Sequence, residues 1–232
     1  MELKNIQHLD SVSLQKGDAL LVVDMQQDFM PGGALAVEAG DTFVADVNTL
    51  MERFKQQGLP VVFTQDWHTP DHRSFASSHD GKEPYDPYEA PGIGPVLWPD
   101  HCVQGTEGAA FHPQLEARRA EAIIRKGYRT PIDSYSGFLE NDHRTETGLD
   151  GYLQHRNVRR IFVCGLAADY CVYYTAADGA EKGYHVLYLS DLTMPVGSPP
   201  DSMERAVEDM QDKGVRFVKS AAIRSAEPEP VG

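Results

Sequence analysis

The chain has 232 residues, 41% of them hydrophobic, enough to bury the core of one α/β domain. Its 35 acidic against 21 basic residues give a formal charge of −14 at pH 7, which argues against nucleic acid and anionic membranes as partners. No apolar stretch approaches the length of a membrane span, the first residues lack the apolar core of a signal peptide, and three cysteines (Cys102, Cys164, Cys171) make no disulfide framework, so a soluble cytoplasmic protein is expected.

Residues 1–17 read as an N-terminal extension ahead of a single domain over 18–223. Ala19–Val23 is an unbroken apolar run of the kind that forms a strand buried on both faces, and it stops at the carboxylate Asp24. A helix is predicted over Asp41–Gln57, where Phe43, Val44, Val47, Leu50, Met51 and Phe54 make one apolar stripe and Gly58 ends it. Strands follow at Pro60–Gln65, Ala122–Arg125, Arg160–Cys164, His185–Ser190 and Val215–Lys219. Helices fall at Glu146–His155, Cys171–Lys182 and Ser202–Lys213. This alternation predicts the α/β class: three layers, a mainly parallel six-stranded sheet with helices on both faces. The tail over 224–232 reads as disordered.

One stretch breaks the alternation. Residues 68–111 hold six prolines in 44 residues and show little periodicity. Their Phe75, Tyr85, Tyr88, Leu97, Trp98 and Phe111 are too apolar for a solvated linker, which predicts the wall and lid of a pocket.

Three strands deliver reactive side chains at their carboxyl ends: Asp24, Lys126 and, at a strand-to-helix corner, Cys171. In an open α/β sheet those ends share a crevice, so the three can meet. A helix start also offers free N–H groups and a positive dipole end, which favour a thiolate and an anion beside it. Each has a plainer reading, as a buried small hydrophobe for Cys171, a turn cap for Asp24 and a solvated charge for Lys126. Asp66 and His68, two apart at a strand end, point to one side and can share a metal ion, with His101 as a third ligand. His72 and His79 are rivals from the same stretch, with His72 expected at the surface.

The ordered motifs VVDMQQDFMPGGALAV, TQDWHTPDHRSFASSH, WPDHCVQGTEGAAFHP, KGYRTPIDSYSGF and GLAADYCV span most of the chain. In them the sequence resembles the nicotinamidase/pyrazinamidase branch of the isochorismatase-like cysteine hydrolases. The resemblance implies that Asp24, Lys126 and Cys171 are catalytic. It also implies an oxyanion hole from the N–H groups of Ala167 and Cys171, after a cis peptide between Leu166 and Ala167. Asp66, His68 and His101 then bind one divalent metal, zinc first, with iron(II) and manganese open. Ser74 falls at a variable fourth position, as a weak ligand or one acting through water. Phe29, Leu35, Trp98, Tyr135, Leu166 and Tyr170 match or neighbour the pocket wall.

The implied reaction is hydrolysis of nicotinamide, and of pyrazinamide, to the acid and ammonia through a Cys171 thioester, with a place in NAD salvage. Ala168 stands where many members have threonine. Two alternatives remain: a metal-independent amidohydrolase acting on another small amide or carbamoyl compound, and a non-enzymatic thiol or metal sensor. A sensor needs neither Asp24 nor Lys126 and usually has a resolving cysteine nearby. Whether the chain is monomeric or a homo-oligomer is not legible.

Overall fold

The computed structural model describes residues 6–225. In chain order its elements are β1 (His8–Leu9), β2 (Val12–Ser13), β3 (Asp18–Val23), α1 (Val44–Gln56), β4 (Val61–Asp66), β5 (Ala122–Lys126) and α2 (Leu149–His155). There follow β6 (Arg160–Leu166), α3 (Cys171–Glu181), β7 (His185–Met194), α4 (Ser202–Asp212), β8 (Arg216–Val218) and β9 (Ile223–Arg224).

Unbroken apolar runs make the middle of the sheet, because a strand covered on both faces has no polar side to present. All six residues of β3 and of β4 are buried, as are the last six of β6. The main sheet has the order β1-β8-β7-β6-β3-β4-β5, and every neighbouring pair is parallel. β3 leads outward to β4 on one side while β6 leads outward to β7 on the other, so the order of strand addition reverses between these two parallel strands. Such a switch point opens a crevice at the carboxyl ends of the strands. Here β3 and β6 also approach closely: Gly165 has φ +117, and a Cβ there would lie 2.0 Å from the Val23 carbonyl oxygen, so only glycine fits.

The apolar stripe of α1 buries Val44, Val47, Leu50, Met51 and Phe54 against β3 and β4. Each such side chain contributes about 1.5–3 kcal/mol relative to exposure. Helix α3 covers β6 and β7 and meets α4. No helix among the described residues is long and apolar enough to cross a membrane.

The sheet has seven strands rather than the expected six. The seventh, β1, comes from the stretch read as an extension and pairs His8 with Phe217 and Leu9 with Val218. A two-residue strand is too short to leave a periodicity in the sequence. Val12 and Leu14 join the core, and β2 pairs with β9 in a second small sheet, so this stretch docks on the domain from residue 8 onward. Arg224, the first residue of the expected tail, lies in β9, and residues 226–232 fall outside the described part. β7 runs on past Ser190 to Met194 after a register shift opposite Val163 and Gly165, which brings Met194 beside Leu166.

The aperiodic stretch after β4 is built from isolated bridges, among them His68 with Val103 and Phe75 with Trp98. It folds over the carboxyl ends of the strands, with Phe75, Leu97 and Trp98 buried.

Candidate active site

Asp24, Lys126 and Cys171 meet at the carboxyl ends of β3, β5 and β6. Register does much of this: β4 and β5 align Asp66 directly with Lys126. Lys126 is fully buried, and its Nζ lies 2.8 Å from Asp24 Oδ2, donates to the Ser134 carbonyl at 2.8 Å, contacts Cys171 Sγ at 3.5 Å and pairs with Asp66 Oδ1. Asp24 Oδ1 accepts the Thr64 hydroxyl at 2.6 Å, while Oδ2 faces the Lys126 ammonium. One donor atom from each of Asp24, Asp66 and Cys171 lies within 4.8 Å of the others. The backbone of Asp66 is anchored by the Gln26 side-chain amide, which donates to its carbonyl and accepts from its N–H, both at 2.8 Å.

Burial raises the Asp24 carboxyl to about 6, against the opposing pull of Lys126. Burial also works to raise Asp66, but Lys126 and the neighbouring imidazoles outweigh it and hold that carboxyl well below the usual range. Burial alone would lower Lys126; Asp24, Asp66 and Cys171 reverse this and keep it cationic. Cys171 is the first residue of α3, yet burial pushes its thiol well up, Lys126 pulls the other way, and Asp24 and Asp66 add to the rise. The expectation that the helix start favours the thiolate meets an opposing effect: desolvation disfavours the charged sulfur and so favours a thiol beside the Asp24 carboxylate. That is the arrangement in which a base removes the proton only as the sulfur attacks.

Asp66, His68 and His101 bring donor atoms within 4.8 Å of one another, all buried. His68 Nδ1 faces the Gly127 carbonyl at 2.9 Å and His101 Nδ1 faces the Pro99 carbonyl at 2.8 Å. A carbonyl only accepts, so each Nδ1 carries a proton and each Nε2 is the nitrogen left with a lone pair for a metal. His68 Nε2 stands 3.7 Å from Asp66 Oδ2. Orienting contacts of this kind are characteristic of metal-binding imidazoles. Burial lowers His101 to about 4, with His68 adding to the effect, so its ring is neutral and able to coordinate. Gly127, at φ +63, leaves room for His68, since a Cβ there would come within 2.5 Å of the ring. The donor set of one carboxylate and two imidazoles fits a divalent ion.

His72 is not at the surface as expected but fully buried, because its ring closes a hydrogen-bonded network. Its Nε2 faces the Arg129 and Ile132 carbonyls at 3.1 Å and its Nδ1 lies 2.7 Å from Ser74 Oγ. Two accepting carbonyls put the ring proton on Nε2, so Ser74 donates to Nδ1 and keeps only lone pairs for other partners. His79 is occupied by the Arg73 carbonyl.

A cavity of about 30 Å³ lies between these groups, lined by Phe29, Leu35, Trp98, Tyr135 and Tyr170 together with Asp66, His101, Ala167 and Cys171. Leu166, also expected on the wall, is fully buried and packs toward Gly40. The wall is stiffened by Trp98 Nε1 donating to Tyr135 Oη at 3.0 Å, Tyr135 Oη donating to the Gly94 carbonyl, and Tyr170 Oη donating to the Ser198 carbonyl.

The Leu166–Ala167 peptide is cis. In the turn that follows, the N–H groups of Ala168, Tyr170 and Val172 are spent on backbone carbonyls, and those of Ala167 and Cys171 are not among these pairs. Asp169 pins the turn to the segment after β7, accepting from the Val196 and Gly197 N–H groups at 2.8 Å and from the Ser202 hydroxyl.

Thr64, Asp133, Ser134, Asp169 and Val196 were not anticipated from the sequence. Thr64 had a signal, a hydroxyl inside a fully buried strand; the others sit in irregular backbone with none.

The isochorismatase domain family matches residues 18–222. The nicotinamidase of Acinetobacter baylyi is 42% identical over 205 residues, covering 88% of this chain and 94% of that protein. Among solved structures, that of a nicotinamidase/pyrazinamidase from Acinetobacter baumanii superposes with a TM-score of 0.85 at 44% identity, covering 89% of this chain and 98% of that one. The pyrazinamidase of Pyrococcus horikoshii in complex with zinc gives a TM-score of 0.72 at 37% identity, covering 88% and 99%.

Proposed function

The chain belongs to the isochorismatase domain family, and from that membership we propose that it is a nicotinamidase, hydrolysing nicotinamide to nicotinate and ammonia. The observation that carries this reading is the buried cluster of Asp24, Lys126 and Cys171 set directly against the donor group of Asp66, His68 and His101.

The Asp24 carboxylate takes the proton from Cys171 as Sγ attacks the carboxamide carbon. Lys126 stays charged and balances the carboxylates throughout. The oxygen that becomes negative is met by the N–H groups of Ala167 and Cys171. Protonated Asp24 then gives its proton to the amide nitrogen, the C–N bond breaks, and ammonia leaves a thioester on Cys171. Water adds to that carbonyl while Asp24 takes its proton, the C–S bond breaks, and the proton returns to the sulfur. Nicotinate is released.

Asp66, His68 and His101 would hold one divalent ion, with Ser74 as a weak donor acting through water. Zinc is the first choice, supported by the zinc complex of the Pyrococcus horikoshii relative, with iron(II) and manganese suited to the same ligands. Held by these residues, such an ion would supply a Lewis-acid contact for a ring nitrogen, so that a 3-carboxamide faces Cys171. Phe29, Leu35, Trp98, Tyr135 and Tyr170 clasp the ring, and Leu166 backs the turn behind it. Pyrazinamide, with a nitrogen at the same place, is a second substrate. Three free cysteines suit a reducing cytoplasmic setting.

Ammonia release with nicotinamide and benzamide side by side tests the proposal. Benzamide keeps the shape and the carboxamide but has no ring nitrogen, and sites built around a polar contact reject analogues lacking it strongly. Nicotinamide is expected to have much the higher kcat/KM. Equal values would move the chain to the metal-independent amidohydrolases.

A further inference from the structure

Asp133 lines the cavity beside Asp66 and His101 and is 2% exposed. Its Oδ1 accepts the Ser134 N–H at 2.8 Å, and its backbone is held on both sides, N–H to the Gly92 carbonyl and carbonyl to the Asn141 N–H, each at 2.8 Å. Its Oδ2 has no hydrogen-bond partner among the described residues. The carboxylate is thus fixed with one oxygen dry and unpaired, a costly state that buried polar groups rarely keep without an ion or a water to satisfy them.

The nearest candidates are His68 and His72, each with a ring nitrogen within 4.8 Å of an Asp133 oxygen. His72 is already engaged at both nitrogens, by Ser74 and by two carbonyls. His68 has Nδ1 on the Gly127 carbonyl and turns Nε2 toward Asp66. His68 therefore belongs to two donor groups, one with Asp66 and His101 and one with His72 and Asp133. Asp133 is not among the donors of the first group, and it meets that group through His68, which the two share.

We propose that Asp133 is a further donor to the metal centre of Asp66, His68 and His101, its Oδ2 accepting a hydrogen bond from a water on the ion. This rests on the metal reading above. It supplies the partner that Oδ2 lacks and places a second negative charge, besides Asp66, near a dication. Asp133 is a positioning residue in this role: it fixes the ion's water and, through it, the ion.

The test uses the full chain and zinc. Asp133→Asn keeps the Ser134 contact through its oxygen and replaces Oδ2 with an NH2 group, which cannot accept from a bound water. Zinc affinity, read by competition with a chromophoric chelator, is expected to fall about 10–100-fold in Asp133→Asn and Asp133→Ala, the usual effect of losing an outer-shell partner. The metal-free Asp133→Asn protein should melt at or above the metal-free parent, because a buried charge is replaced by a neutral group, while its gain in melting temperature on adding zinc should shrink. A merely structural carboxylate would lower the metal-free midpoint and leave that gain intact, which would overturn the proposal. Asp133→Asn decides the matter if the alanine variant fails to fold. Zinc bound by the parent and by Asp133→Asn with one affinity removes this inference alone; no stoichiometric zinc in the parent removes it together with the metal reading.

Discussion

Lys126 Nζ sits 2.8 Å from Asp24 Oδ2 and pairs at the same time with Asp66, so one buried ammonium balances both the carboxylate proposed to move protons and the one proposed to bind the metal. Removing it leaves two buried anions without a counter-charge. Lys126→Ala is expected to lose activity and, in the metal-free protein, on the order of 3–5 kcal/mol of stability in urea unfolding. Asp24→Asn keeps the shape and lacks only the proton acceptor; its kcat should fall by at least about 10²-fold with far less change in stability. Near-normal kcat in either variant would make that residue structural.

Cys171→Ala should abolish turnover while the far-ultraviolet spectrum stays that of the parent, and Cys171→Ser should be nearly as inactive, since a hydroxyl is far harder to ionise. Cys102→Ala and Cys164→Ala should still release ammonia. Cys164 lies inside β6 with its thiol pushed up by burial, away from the cavity.

Asp24 acts as the base only when ionised, and its folded value near 6 lies above the ordinary 3.8. The profile of kcat/KM against pH should therefore lose activity on its acid side with an apparent value near 6. The stability sign is the opposite one: a raised carboxyl favours the protonated folded form, so this contribution is present below about 4 and lost as pH rises through 6. Thr64→Val removes the hydroxyl that bonds to Oδ1 and favours the ionised form. The acid limb of Thr64→Val should shift to higher pH; an unmoved limb would show that another group sets it.

The purified protein should hold about one divalent ion per chain, and chelation should inactivate it reversibly. Adding zinc at 100 times its Kd should stabilise the folded state by about 2.7 kcal/mol. His68→Ala and His101→Ala should lose both the ion and the gain. Gly127→Ala should weaken binding as well, by pushing the His68 ring from its place. Metal analysis and thermal melts with and without zinc check all three.

Local pattern carried much of this molecule. Unbroken apolar runs marked β3, β4 and β6, and the stripe of α1 together with Gly58 located that helix within a few residues. The carboxyl ends of β3, β5 and β6 named Asp24, Lys126 and Cys171 as neighbours, because in a parallel sheet all such ends open on one crevice. The resemblance then placed Asp66, His68 and His101 together, and the structure brings their donor atoms within reach of one ion.

What periodicity could not reveal were facts set by strand order and register. β1 is two residues long and forms only because β8 offers it an edge. His72, a loop histidine by sequence, is buried because Ser74 and the Arg129 and Ile132 carbonyls meet around it from up to 60 positions away. The thiol of Cys171 is raised rather than lowered because burial outweighs its place at the helix start. Thr64 touches Asp24, 40 residues earlier, and Asp133 leaves an oxygen unpaired beside His68. The sequence by itself determined which elements form and which side chains stand at their ends, since both follow from contacts between residues a few positions apart. Only the tertiary structure decided which distant groups share a dry, low-dielectric space, and it is that sharing which sets their charges.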